Sequence, residues 1–193
     1  MAGKALLAAL AVALTLLAFV PYIRSILKRE LKPHVFSWVI WGTTTCIVFL
    51  AQLADNGGAG AWPIGMSGAI TLYIAMLAYR RRADTSASVV DWLFFIAAMT
   101  ALPLWFVASD PLWAVVIVTA VDLLGFGPTL RKALHFPHEE SLTFFALFTA
   151  RNIIVVMALE HYSVTTVLFP AAIALACLLL ITLVAYRRRV GPV

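Results

Sequence analysis

Asp122 and Arg151 are ionisable side chains set inside apolar stretches of the chain. Asp122 lies eight residues before the end of the run 112–130, about 12 Å along a helix axis. Arg151 lies ten residues into the run 141–159, about 15 Å from the same side. The depths differ by less than a turn, and consecutive elements are usually neighbours. A lone charge at such depth costs several kcal/mol unless it is paired or hydrated. The two are therefore predicted to form an intramembrane ion pair. It would serve as a structural clamp, or else in substrate recognition or proton coupling.

A second constellation is aromatic and polar. Trp38, Trp41 and Thr45 follow the i, i+3, i+7 spacing of one helix face, and Phe145, Phe148 and Asn152 repeat it. Aromatic walls with a few placed polar groups describe a small-molecule pocket, and ordinary helix packing is the alternative. Ser67 and Thr71, four apart, either add polar groups to such a pocket or let two helices approach closely. Pro21 and Pro128 each remove a backbone donor near a predicted helix end, as a hinge or as a terminator.

Other chemistries find little here. His135 and His138 read as loop residues beside Glu139 and Glu140, and Glu160-His161 as a loop at the opposite end. Cys46 and Cys177 sit in apolar runs without the spacing of a disulfide or metal site. A membrane metallohydrolase needs several deep His and carboxylate ligands, and only Asp122 is deep. A retinal protein needs a Lys in its last helix, and 164–186 has none. The chain is therefore expected not to be an enzyme, with no catalytic residue, metal or cofactor.

These side chains need a scaffold, and composition sets its solvent. Of 193 residues, 63% are hydrophobic and 12% charged. That balance belongs to a chain dissolved in lipid. Apolar runs at 5–21, 35–54, 62–79, 89–107, 112–130, 141–159 and 164–186 predict seven membrane helices. The first run imitates a secretory signal, but no convincing cleavage site follows, and it reads as a helix. Trp62, Tyr79, Trp92, Trp113, Tyr162 and Tyr186 lie near predicted ends, as interfacial aromatics do. Twelve of the 14 Lys and Arg fall at one set of helix ends: Arg24, Lys28, Arg29, Lys32, Arg80–Arg82, Arg131, Lys132 and Arg187–Arg189. Lys4 lies opposite. Basic loops stay cytoplasmic, so the N-terminus is expected outside and the C-terminus inside a cell membrane. The net charge of +5 thus reports topology and not nucleic-acid binding. The expected partners are the bilayer and a small-molecule substrate; a homo-oligomer stays open.

The chain also repeats itself. A gapless shift of 107 residues gives 19 identities over 86 pairs. Pro21 falls on Pro128, Arg24 on Arg131, Pro63 on Pro170, and Ala78-Tyr79-Arg80-Arg81-Arg82 on Ala185-Tyr186-Arg187-Arg188-Arg189. Asp122 and Arg151 fall on the uncharged Thr15 and Thr44. Residues 5–82 and 112–189 then form two three-helix units joined by a linker helix at 89–107, all within one membrane domain, 1–193. An odd number of helices between the copies makes them parallel repeats about an axis along the membrane normal.

This 3+1+3 plan, with a proline at the end of the first helix of each unit and a basic loop after it, resembles the SWEET/PQ-loop superfamily. Trp38-Val39-Ile40-Trp41-Gly42 resembles its Trp-x-x-Tyr-Gly stretch, and Pro63 opens the third helix as expected. The chain reads Pro21-Tyr22 and Pro128-Thr129 where the PQ-loop proteins have Pro-Gln. It has Ser67-Gly68 and Ala174-Leu175 where sugar carriers place an Asn. The resemblance implies transport of a small solute by alternating access, without naming the cargo. A receptor, sensor or assembly protein on the same fold is the alternative.

Overall fold

A computed structural model describes residues 2–29, 35–81, 89–135, 137 and 142–190. Side chains at 90, 91, 94, 127–129, 131, 132, 135 and 190 are outside the description. Lys32, Arg82, His138, Glu139 and Glu140 also lie outside the described residues, as do the side chains of Pro128, Arg131, Lys132 and His135.

Among the described residues the chain is all helical. The helices are α1 (Ala2–Leu27), α2 (Val35–Ala54), α3 (Trp62–Arg80), α4 (Val89–Ala108), α5 (Pro111–His135), α6 (Leu142–Ala158) and α7 (Val164–Val190), with a 3-10 turn at Gly58–Ala61 before α3. Helix starts follow local chemistry. A proline in the first turn of α3 has its φ preset and lacks only an N–H that would be unpaired there. Asp110 Oδ1 accepts from the Leu112 N–H at 2.8 Å and caps α5. Past α2, Asn56 takes a left-handed φ of 56°, and the Gly57 N–H turns back to Gln52 O at 2.7 Å.

Two predicted ends move. α1 runs through Pro21 to Leu27, and α5 runs past position 128 to His135. Neither proline terminates its helix, and His135 ends a helix instead of lying in a loop. Proline deletes one N–H and one bond of the ladder, a loss that a helix held by its neighbours tolerates.

Four segments are long and apolar enough to cross a bilayer: Ala2–Leu27, Val35–Ala54, Gly58–Arg80 and Val164–Arg189. Three shorter apolar stretches lie in α4, α5 and α6. At 17 residues α6 is about 26 Å long, a little under the hydrocarbon thickness.

Packing joins non-consecutive helices. α3 lies against both α1 and α2, and α7 lies against both α5 and α6. α1 packs on α6, α2 on α5, and α4 on α5 and α2. Small residues permit the tight α2–α3 crossing: a Cβ on Gly68 would lie 2.9 Å from Cys46 Sγ.

The bundle has two unlike ends. At one end, Arg187 Nε donates to Leu134 O at 3.0 Å and Arg188 Nε to Pro137 O at 3.1 Å. At the other, the segments after α2 and after α6 are stitched together. The Glu160 N–H donates to Gly57 O at 3.1 Å, Ser163 donates to the Asp55 carboxylate, and His161 Nδ1 lies 3.0 Å from Asp55 O. Lys4 Nζ adds α1 to this end through Met157 O at 2.7 Å and the Tyr162 hydroxyl at 2.9 Å.

Gly60 sits inside that stitching. A Cβ there would lie 2.6 Å from Leu159 N and 2.8 Å from Leu159 Cα, both backbone atoms that cannot rotate away. Gly60→Val is expected to lift the 3-10 turn off α6 and cost about 1–3 kcal/mol. Thermal unfolding in micelles measures it, with Gly3→Val as control, because a Cβ on Gly3 meets nothing within 4 Å. Equal midpoints for the two variants would show that this end yields.

Candidate functional site

A cavity of about 710 Å³ opens inside the bundle. Its walls come from α1, α2, α3, α5, α6 and α7. It extends from Ser67, Thr71 and Arg151 at mid-depth to Pro21, Ser25 and Thr143 near the end that carries the arginine clusters. The stitched end contributes nothing to its lining.

Trp38, Trp41, Thr45, Ser67, Thr71, Phe145 and Phe148 all line this cavity. Trp38 and Trp41 meet edge to face at 5.7 Å, and Phe19 stands edge-on to Trp38 and Phe148 at 6.3 and 5.5 Å. Thr45 donates to Trp41 O at 2.7 Å and Thr71 to Ser67 O at 2.8 Å, so both hydroxyl protons are used locally while the oxygens can still accept. Pro21 is on the wall as well.

Asn152 is placed differently. It is fully buried behind the wall, donating to Phe148 O at 2.8 Å and accepting from Arg151 Nη1 at 2.9 Å. It holds Arg151 and does not itself line the cavity.

The expected ion pair does not form. Asp122 is 7% exposed, and Thr44 Oγ1 lies 2.9 Å from its Oδ1. Arg151 is 2% exposed. Its Nε donates to Thr15 Oγ1 at 3.2 Å, Nη1 to Asn152 Oδ1, and Nη2 to Pro63 O at 2.8 Å. The Phe148 ring lies 5.7 Å from the guanidinium carbon. Chain order does not give adjacency here, because α7 packs against both α5 and α6, while α6 turns toward α1 and α5 toward α2.

The pairs that do form have a pattern. Thr15 and Asp122 are 107 apart, and so are Thr44 and Arg151. The α1–α6 contact Thr15–Arg151 and the α5–α2 contact Asp122–Thr44 thus use the same two positions under the shift of 107. In each, a threonine faces a charge: an acid at one, a base at the other.

Further lining residues went unselected, Phe19, Tyr22, Phe126, Phe144 and Cys177 among them. Phe19 and Phe126 carried a legible signal, being identical under the shift. Gly125, also on the wall, leaves room for Trp41, whose Nε1 would lie 3.3 Å from a Cβ there.

Comparison with family models, with curated proteins and with solved structures yields no significant match to this chain.

Proposed function

We propose that the chain is a small-solute transporter of the SWEET/PQ-loop kind, with two parallel three-helix repeats and a midplane pocket between them. The observation that carries this reading is the cavity, walled by equivalent positions of both halves. Ala18 and Gly125, Phe19 and Phe126, Trp38 and Phe145, and Trp41 and Phe148 are four such couples, each 107 apart. Helix neighbours support it too. α3 sits against both partners of its unit and α7 against both of its own, and the α1–α6 contact has its equivalent in α5–α2. α4 lies outside this scheme, as a linker would.

A cavity that reaches toward one end while hydrogen bonds close the other has the form of one state of an alternating-access cycle. In this reading the arginine-rich end is cytoplasmic and the state faces inward. Release of the Asp55, Glu160, His161 and Ser163 contacts would open the outer mouth. The prolines in α1 and α5 weaken those helices at one rung each, where bending is least costly.

The test is flux. Purified protein in proteoliposomes should exchange at least one labelled solute from a metabolite pool, and Trp41→Ala should slow that exchange about tenfold with expression unchanged. Binding without exchange would favour the receptor or sensor reading. Topology has its own check: a reporter at the C-terminus should read as cytoplasmic and one inserted after Ala61 as external. The reverse pattern would overturn the orientation.

A further inference from the structure

Two opposite charges line one cavity, and among the described residues neither has a counter-charge. Arg151 meets a hydroxyl, an amide oxygen and a backbone carbonyl, all neutral. Asp122 meets the Thr44 hydroxyl. Among the described residues no carboxylate is within ion-pair distance of Arg151, and no cation is within it of Asp122. Buried charges are ordinarily paired, because a bare one is expensive in a low dielectric.

Both groups have bonding capacity to spare. A guanidinium has five N–H donors, and three are used here. One N–H on Nη1 and one on Nη2 take no protein acceptor, which leaves two donors for a carboxylate. Asp122 uses Oδ1 toward Thr44, which leaves Oδ2 for a donor in the cavity. The three protein contacts of Arg151 fix the guanidinium plane, so its orientation is set before any ligand arrives.

Resting on the transporter reading for its pocket, we infer that the solute is a zwitterion with an apolar or aromatic body. Its carboxylate takes the two free N–H groups of Arg151 and its ammonium takes Asp122. Its body lies against Trp38, Trp41, Phe145 and Phe148. A neutral polyol leaves both charges unpaired. A simple anion or cation satisfies one and adds nothing to the other. Asp122 and Arg151 are then the specificity-determining residues, and the charge asymmetry between the repeats orients the solute.

The experiment is isothermal calorimetry with thermal shift on the full chain in micelles. The probes are L-phenylalanine, L-leucine, 3-phenylpropanoate, phenethylamine and glucose at millimolar concentrations. At least one of the two zwitterions should bind, with each one-charge analogue about tenfold or more weaker and glucose silent. Arg151→Lys keeps a cation but loses the planar array of donors, and should weaken the zwitterion while leaving phenethylamine unchanged. Asp122→Asn should weaken the zwitterion and leave 3-phenylpropanoate unchanged. Glucose binding as tightly as the zwitterions, equal affinities for zwitterion and one-charge analogue, or no binding by any probe would overturn the inference. Because the readout is binding, a zwitterion that binds but is not exchanged would sink the transporter reading alone. Exchange of a neutral solute with no charge preference would sink this inference alone.

Discussion

Arg151→Leu is expected to be the most destabilising single exchange in the bundle, at about 3 kcal/mol. The guanidinium ties α6 to α1 through Thr15 and to α3 through Pro63. It also satisfies Asn152 Oδ1. Hydrogen bonds to a charged group contribute about 1.5–3 kcal/mol each, and three are lost. Against that, leucine removes the cost of holding a cation away from bulk water, which is several kcal/mol by itself. The bonds win because three are lost at once and because Asn152 Oδ1 would be left buried without a donor. Arg151→Lys should cost about half as much, since an ammonium cannot reach Thr15 and Pro63 together in fork geometry. Unfolding in mixed micelles gives both values. A Leu variant as stable as the parent would mean that desolvation outweighs the three bonds.

The partners of Arg151 are set by tertiary packing, which the sequence carries less directly than its helices. Hydropathy located all seven helices, because an apolar run in lipid must satisfy its own backbone. The C-terminal limit of α2 was readable to the residue. The ends of α1 and α5 were not, because proline is a local signal and helix continuation there depends on neighbours. The aromatic faces of α2 and α6 were legible from spacing alone, and they line the cavity. Asn152 shares that spacing but lies one layer behind, a difference of side-chain direction that periodicity does not encode. The partners of Asp122 and Arg151 depend on which helices touch. Chain order pointed to α5 beside α6. The shift of 107 held the better answer: under the proposed twofold, whatever Asp122 does toward α2, Thr15 must do toward α6.

Moving both charges from the second half of the chain to the first tests that relation with the largest expected effect on binding. Asp122→Thr with Arg151→Thr copies the residues at the shifted positions of the first half onto the second. Zwitterion affinity should fall about a hundredfold, two charge-assisted contacts at about tenfold each. Thr15→Asp with Thr44→Arg, added to that variant, rebuilds the charges across the axis. An arginine at position 44 would face position 122, as Arg151 now faces Thr15. The equivalents of its other partners are present: Pro170 stands 107 residues from Pro63, Thr45 from Asn152, and Trp41 from Phe148. Each offers what the original does — a carbonyl, a side-chain oxygen and an aromatic face. The fourfold variant is therefore expected to regain at least tenfold of the lost affinity and most of the lost stability, with the solute bound in the opposite sense about the axis. Calorimetry and unfolding on the parent, the double and the fourfold variant read both quantities. Recovery of stability without binding would leave the helix pairing intact and place the solute off the axis. Recovery of neither would mean that the two halves are not equivalent at the positions where their charges lie.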